Sequence, residues 1–410
     1  ARRGYPVTMY DKHDKPGGML RQAIPDYRLP PAILDAEVQR VLDLDIALVR
    51  NVDVGSDISF HELRDRHALM FLGLGAQAPQ ALHVTGEDGP GVISGIEYLR
   101  QRKQRIESQP GAQVIVVGGG NTAIDAARTA RREGAAVTLL YRRSEAEMPA
   151  TSTEVQDART EGVEFRFLVA PKRIIREGHA VRAIELQAMR LGDADDQGRR
   201  RPVPVAGQID EMAADTIIVA ISQAPDWHGM EMLRDGHKWL HTKNDGKIES
   251  DIWAGGDDRG PGIASKAIAQ GRLAAEGAHA ELRGDTRYAR SPANRDVKSG
   301  FVKSDYYAER QRTSTPRLPR REWLTEPAME IDQTINDQQA CREAARCMSC
   351  GRCFDCQQCF MFCNVGGFTR IEETRPGHYF VLALDACEGC GKCVEICPSG
   401  YLESREGTDW

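Results

Sequence analysis

Residues 114–143 read VIVVGGGNTAIDAARTARREGAAVTLLYRR. The apolar run VIVV at 114–117 predicts a buried strand, GGGNTA at 118–123 a tight turn, and the following residues a helix to about Glu133 that is closed by Gly134. VTLLY at 137–141 is the next strand, so the stretch is the start of a βαβ unit. Three glycines permit a tight turn and close backbone approach. The helix N-terminus offers free N–H groups and the positive end of its dipole to a pyrophosphate. A glycine motif alone is weak, but strand, turn, helix and strand in this order point to nucleotide binding. Arg142 and Arg143 stand at the strand tip, where an acid would favour NAD; two guanidinium groups there suit a 2′-phosphate, against the plain alternative of a surface arginine pair.

Upstream, YPVTMY at 5–10 predicts a strand ending at Asp11, followed by the loop KHDKPGGML and by IPDYRLP. A strand with an acid at its tip is half of a dinucleotide fold, in which a GxGxxG turn and a helix come first and the acid binds the ribose. Only ARRG precedes this strand, so the fingerprint is expected upstream of Ala1. Pro31–Leu44 carries apolar residues at helical spacing, Ser59 and Glu62 predict a capping box, and a buried strand at 68–72 ends in GLGA at 73–76. Downstream come a helix, the strand-rich pieces VEFRFLVAP and VRAIELQAMRL, a polar hairpin DADDQGRRRP and the strand TIIVAIS. Residues 252–282 then read as a strand, a glycine loop containing Asp257 and an alanine-rich helix. From about 283 to 340 the composition shifts to Arg, Ser, Thr and Pro, which predicts a mostly extended linker or wrapping arm without chemistry of its own.

All eleven cysteines lie from Cys341 onward. The run Cys353, Cys356, Cys359, Cys363 is answered by Cys387, Cys390, Cys393, Cys397, each CxxCxxCxxxC, and the second is closed by Pro398. Bacterial ferredoxins hold two [4Fe–4S] cubanes with this spacing, the fourth cysteine of each run ligating the other cluster. Cluster one would take Cys353, Cys356, Cys359 and Cys397; cluster two would take Cys387, Cys390, Cys393 and Cys363. Structural zinc needs one or two CxxC pairs rather than two triple runs. A disulfide framework suits a small secreted domain rather than a tail on a nucleotide-binding enzyme, and the expected compartment is cytoplasmic. Cys347 and Cys350 extend the ladder backward and remain open as part of a further cluster or as exchanging ligands; Cys341 reads as a plain thiol.

The chain has 410 residues, 41% of them hydrophobic and 28% charged, enough for two to three globular domains. Its formal net charge of −6 supplies no general basic field, which argues against nucleic acid as a partner. Apolar runs such as Val114–Val117 and Thr216–Ile221 fall far short of the ~18 residues of a spanning helix, so no integral membrane segment is expected.

GGMLRQAIPDYRLP at 17–30, VTGEDGPGVISGIEYLR at 84–100, residues 114–150, RPVPVAG at 201–207, AISQAP at 220–225 and AGGDDRGPGIASKAIAQGRLAA at 254–275 together resemble the FAD- and NADPH-binding small subunit of glutamate synthase and its relatives. The resemblance implies an α/β fold of two nested Rossmann-like domains, the NAD(P)H module inserted into the FAD module, followed by an α+β two-[4Fe–4S] ferredoxin-like domain. Its boundaries would be an FAD domain at 1–98 and 247–285, an NAD(P)H domain at 99–246, a linker or arm at 286–340 and the ferredoxin-like domain at 341–410. Flavin contacts would fall on Asp11, Gly17, Gly18, Leu20, Gly75, Ala76, Asp257, Ile263 and Ala264. NADPH contacts would fall on Gly118, Gly119, Gly120, Asn121, Thr122, Arg142, Arg143 and Gln223. Four departures stand out: the FAD pyrophosphate fingerprint and, with it, the family's N-terminal iron–sulfur segment are absent with the N-terminus expected upstream of Ala1, Ser222 replaces a glycine, and Asn364 replaces the proline after Cys363. The first implies weakened FAD binding by this chain.

The tail EAARCMSCGRCFDCQQCFMFCN with ALDACEGCGKCVEICPSGYLE narrows the resemblance to the NAD(P)H oxidoreductase linked to dissimilatory sulfite reductase in sulfur-metabolising bacteria. It implies an NAD(P)H:acceptor iron–sulfur flavoprotein that exchanges electrons with a redox partner, sulfite reductase being the first expectation, with homodimerisation left open. The alternatives are the electron-input subunit of a glutamate synthase or other reductase, and a flavin-free electron-transfer subunit. No protein side chain is expected to be catalytic, because hydride transfer proceeds between cofactors.

Overall fold

The computed structural model describes residues 1–106, 110–194, 198–234, 236–284, 297, 299–375 and 377–404. They form two units. One gathers Ala1–Ala289 and Arg317–Asp332, the other Arg290–Pro316 and Gln333–Trp410.

The first unit opens with β1 (Val7–Asp11), α1 (Gly18–Gln22), α2 (Pro31–Leu42) and β2 (Ile46–Arg50). β1 and β2 pair in parallel from Val7↔Ile46 to Asp11↔Arg50, which leaves Asp11 at the strand tip as expected. Pro31 starts α2, where its missing N–H costs nothing. In α3 (Phe60–Arg66) the Ser59 Oγ accepts the Glu62 N–H at 3.1 Å. Only that half of the expected capping box forms, since the Glu62 carboxylate is taken by Arg66 one turn on. The chain then passes through β3 (Met70–Leu72) to β4 (Ala78–Pro79).

A nested domain follows, with β5 (Val92–Ser94), α4 (Gly95–Lys103), β6 (Gln113–Val117), α5 (Asn121–Arg132), β7 (Ala136–Tyr141), α6 (Ser152–Thr160) and β8 (Glu164–Phe167). Three antiparallel strands come next, β9 (Val169–Glu177), β10 (Ala180–Ala194) and β11 (Arg200–Ala213), and then β12 (Thr216–Val219). The parallel sheet runs β5-β12-β6-β7-β8. Because side chains alternate across a sheet, one run of apolar residues serves two cores. Val114, Val116 and Leu139 face Ala123, Ala126, Ala127 and Ala130 of α5. Ile115, Val117 and Leu140 face Ile184 and Leu186 of β10. Those four alanines are fully buried, and their i, i+3, i+4, i+7 spacing lets α5 lie close against the sheet.

The chain returns at β13 (Gln223–Ala224), which pairs antiparallel with β4, so the exit and re-entry strands of the inserted domain are side by side. β14 (Ile252–Ala254) then pairs in parallel with β3, and α7 (Ala264–Leu282) follows. β1–β2 and β3–β14 are thus two separate parallel pairs among the described residues.

The arm expected at 286–340 is shared between the units. Residues 317–332, including α8 (Glu322–Thr325), strap onto the nested domain. There Trp323 and Ile331 pack with Tyr27, the Arg317 guanidinium donates to both oxygens of Asp157 at 3.0 and 2.6 Å, and Arg132 donates to the Pro327 carbonyl. Under the strap, Arg128 and Arg132 share the Glu161 carboxylate, all three buried, and stack on the Tyr27 ring. Arg28 clamps the buried Asp125 of α5 with two bonds of 2.8 and 2.7 Å. Paired in this way, the buried charges avoid the cost of standing alone.

The second unit contains α9 (Asp337–Ala344), started by a full capping box between Asn336 and Gln339, then α10 (Gln358–Met361), the hairpin β15 (Phe368–Arg375) and β16 (His378–Leu382), and α11 (Lys392–Ile396). The preceding segment is part of it: Lys303 N–H donates to the Pro398 carbonyl, and the Tyr307 hydroxyl donates to that of Met348 at 2.7 Å.

Candidate functional site

The 114–143 stretch folds as its pattern predicts, and each glycine of its turn has its own reason. Gly118 has φ 150°, and a Cβ there would run into the Ala220 carbonyl oxygen. A Cβ on Gly119 would collide with the Tyr141 ring. Gly120 is different. A Cβ there would meet only Pro149, at 3.9 Å, so packing alone does not demand glycine. Gly120 is the N-cap of α5, and no side chain caps that helix end. Uncapped N–H groups beside an open glycine fit a pyrophosphate. At the rim, Gln223 Nε2 donates to Thr122 Oγ1 at 3.1 Å, joining two expected contacts, and Asn121 Oδ1 accepts the Thr151 N–H.

The two arginines at the tip of β7 part company. Arg142 is exposed, as a phosphate ligand needs to be. Arg143 is 9% exposed and its Nε donates to the Arg200 carbonyl at 2.7 Å.

The expected flavin contacts fall into two groups. Asp11, Gly17, Gly18 and Leu20 follow β1; Asp11 Oδ1 accepts the His13 N–H at 2.9 Å, and Gly17 and Gly18 have φ 131° and 50°. Gly75 and Ala76 follow β3, and Asp257 follows β14; the pairing Leu72↔Ala254 sets these turns at the same end of one parallel pair. Ile263 and Ala264 open α7, which no side chain caps. Asp257 Oδ1 accepts the Gly262 N–H, and partial burial raises its pKa. Its neighbour Asp258, missed in the sequence, is fully buried and neither oxygen has a well-formed hydrogen bond. Burial pushes its carboxyl up to about 7, against the Leu74 N–H and Arg259, which pull it down. A bare helix end, open glycine turns and an orphaned buried carboxylate fit a bound polar ligand such as the flavin's ribityl chain.

In the second unit Cys353, Cys356, Cys359 and Cys397 line one cavity of about 40 Å³, walled by Phe354, Phe368 and Phe380. This is the crossed set expected for cluster one, with Cys397 supplied by the other run. Burial, and then the fields of Cys356 and Cys353, push Cys359 up to about 11; Cys356 is likewise raised by burial. Thiols that crowd one another in this way fit a bound metal cluster, which supplies counter-charge and holds them as thiolates. Among the described residues no group of three or more His, Cys, Asp or Glu side chains converges on a single metal ion; these thiols surround a space instead. Cys387 and Cys390 act on Cys393, so three members of the second set lie together, while Cys363 Sγ accepts the Gly367 N–H at 3.2 Å.

The loops repeat a backbone device that the sequence did not reveal. In the second run Gly389 and Gly391 have φ 70° and 72°; in the first, Asp355 and Gln357 hold the same places at 61° and 64°. Side chains rarely adopt this left-handed region, so the loop geometry overrides local preference. Ser349 and Gly351 repeat it after Cys347 and Cys350, at 50° and 69°. Those two cysteines and Cys341 are exposed.

Residues 6–271 match the family described as pyridine nucleotide-disulphide oxidoreductase. The chain belongs to that family. Residues 352–401 of this oxidoreductase match a 4Fe-4S dicluster domain. It is 40% identical over 290 residues to the NADP(+)-dependent formate dehydrogenase subunit beta of Moorella thermoacetica, a match covering 67% of this chain and 40% of that one. Over 233 residues it is 42% identical to the NADPH-Fe(3+) oxidoreductase subunit beta of Geobacter sulfurreducens, covering 55% and 35%. With the glutamate synthase [NADPH] small chain of Escherichia coli it shares 33% identity over 299 residues, covering 67% and 63%. The oxidoreductase thus spans less than half the length of the first two relatives. Mycobacterium tuberculosis FprA in complex with NADPH has the same fold, with a TM-score of 0.60 at 19% identity over 70% of this chain and 80% of that one. The fold class is therefore two Rossmann-like domains with a ferredoxin-like C-terminal unit, and the cofactor set of the family and the dicluster domain is FAD, NAD(P)H and [4Fe–4S] clusters. No helix among the described residues is long and apolar enough to cross a membrane.

Proposed function

We propose that this chain is the NAD(P)H-handling electron-transfer part of a larger redox enzyme, passing electrons between a pyridine nucleotide and a partner protein through its C-terminal clusters. The observation that carries the reading is the crossed four-thiol cavity on the same chain as the uncapped glycine turn. When bound, FAD supplies the exchange between the two electrons of a hydride and the single electrons of a cluster. The protein's own share is positional. Gly118, Gly119 and Gly120 let the backbone approach a pyrophosphate, Gln223 and Thr122 hold one another at its rim, and Arg142 offers a phosphate ligand at the tip of β7. Asp11, Gly17, Gly18, Leu20, Gly75, Ala76, Asp257, Ile263 and Ala264 would hold the flavin. Cys363 with Cys387, Cys390 and Cys393 would complete the second cluster.

The partner proposed first is a dissimilatory sulfite reductase, supported by the resemblance of the cysteine-rich tail. The second reading is the electron-input role in a glutamate synthase or another reductase, favoured by the names of the similar proteins. Reoxidation of the reduced clusters, followed spectroscopically after mixing with each acceptor, separates them. Rapid reoxidation by sulfite reductase and none by a glutamate synthase large subunit supports the first; the reverse rejects it. A preparation of the full-length protein that carries clusters and no flavin would favour the flavin-free electron-transfer subunit over both.

A further inference from the structure

We infer that the exposed face around the second thiol set is where the redox partner docks, and that this partner presents an apolar centre ringed by lysine or arginine. This rests on the proposed electron-transfer reading and adds to it which of the two thiol sets the partner meets, and by what chemistry.

The two sets differ in access. Cys397 of the first set is buried, and the cavity it lines is walled by aromatic rings. In the second set Cys387 and Cys390 are exposed, and Cys363 and Cys393 are partly so. The side chains that flank this second set are apolar. Phe360, Met361 and Phe362 run directly into Cys363, Val365 follows it and Leu384 precedes Cys387; each is between 38% and 59% exposed. The fold brings the two stretches together, since the Ala383 N–H donates to the Gly367 carbonyl at 2.8 Å and Lys392 Nζ lies 5.8 Å from the centre of the Phe362 ring. Large apolar side chains exposed as a group mark an interaction site, and a methionine among them adapts to a partner's shape.

Charge decides the occupant. Asp385, Glu388 and Glu395 stand among the second-set cysteines, all three exposed and none in an ion pair among the described residues. Lys392 is the only Lys or Arg from 383 to 396. A second copy of the chain would bring the same carboxylates face to face, in a molecule whose net charge is already −6. An anionic lipid surface is repelled for the same reason. A protein with a basic rim is attracted instead, and a small face suffices, because weak redox encounters bury little area. Each encounter moves one electron and no proton; oxidation of one NAD(P)H to NAD(P)⁺ releases a proton and the two electrons that two encounters carry away.

The test follows reoxidation of the clusters in the full-length protein after anaerobic reduction with dithionite, using ferricytochrome c as a basic protein acceptor and p-benzoquinone as a small neutral one. Cytochrome c should react about tenfold faster at low than at high ionic strength, and the quinone equally at both. Glu388→Lys should slow cytochrome c about tenfold at low ionic strength and flatten its salt dependence. Met361→Ser should slow it a few-fold and leave the salt dependence in place. The quinone should react with both variants as with the parent. Asp210→Lys, the same change of charge on β11 of the first unit, should have little effect. Equal cytochrome c rates for the parent and both variants overturn the proposal. If both acceptors slow together, these residues hold the cluster and the proposal falls. It falls too if Asp210→Lys slows cytochrome c as much as Glu388→Lys does, since net charge alone then acts, or if the parent is a dimer that Met361→Ser dissociates, which assigns the face to a second copy. Clusters that dithionite reduces and NADPH does not would remove the electron-transfer reading instead, with the docking result standing.

Discussion

The parallel sheet of the nucleotide-binding unit and the loops of the cysteine-rich unit are held by different forces. Ile115, Ile124, Leu139, Leu140, Ile217 and Ile218 are all at most 2% exposed, and each such side chain contributes roughly 1.5–3 kcal/mol by leaving water. Among the described residues of the second unit, the buried side chains reduce to Phe368, Cys397 and a few neighbours, while Phe360, Met361 and Phe362 are about half exposed. A unit with so small a core is expected to fold around its clusters, as small metal-bound domains do. Oily packing makes one unit self-sufficient; metal ligation would make the other conditional.

The most drastic way to break that contrast is at Cys397, which lines the cavity of the opposite run. Cys397→Ala should roughly halve the iron and labile sulfide and make the second unit susceptible to proteolysis, leaving NADPH binding by the first unit intact. Iron analysis and limited digestion check this. Chelation should act likewise, and a second unit that resists digestion without iron would erase the distinction.

In the other unit, Leu139→Ala should cost about 2–5 kcal/mol, because the rigid sheet and α5 cannot close the cavity it leaves. Denaturant unfolding should show this loss in the nucleotide-binding transition alone, with iron content unchanged.

Asp258 sharpens the comparison through pH. Its folded pKa lies above that of an unfolded aspartate, so the folded state binds the proton more tightly and stability falls as pH rises from about 4 to about 7. Asp258→Asn should remove this fall, so its gain in Tm over the parent should be larger at pH 8 than at pH 5. A gain independent of pH would mean that the carboxyl is not buried in its charged form. The smallest effect belongs to the exposed Arg166–Asp210 pair, whose removal by Arg166→Ala should shift stability by at most about 1 kcal/mol.

What was legible from sequence follows the same division. The 114–141 unit was readable because strand, turn and helix signals agree within thirty or so residues, and the cysteine spacing because ligand geometry is local. The half-formed box at Ser59 failed for a local reason too, since Arg66 competes for Glu62. The strap at 317–332 was hidden because its hold on Tyr27 and Asp157 joins residues some 160 to 300 positions apart. Left-handed Asp355 and Gln357 gave no glycine signal at all.

The central claim is that one chain couples a nucleotide site to thiol-bound clusters, and an anaerobic titration of the full-length protein with NADPH, followed by electron paramagnetic resonance, tests it most directly. The account predicts about eight iron atoms per chain and signals of reduced [4Fe–4S] clusters that appear as NADPH is consumed. Clusters that stay oxidised while NADPH bleaches the flavin, or a protein that binds no iron, would contradict it.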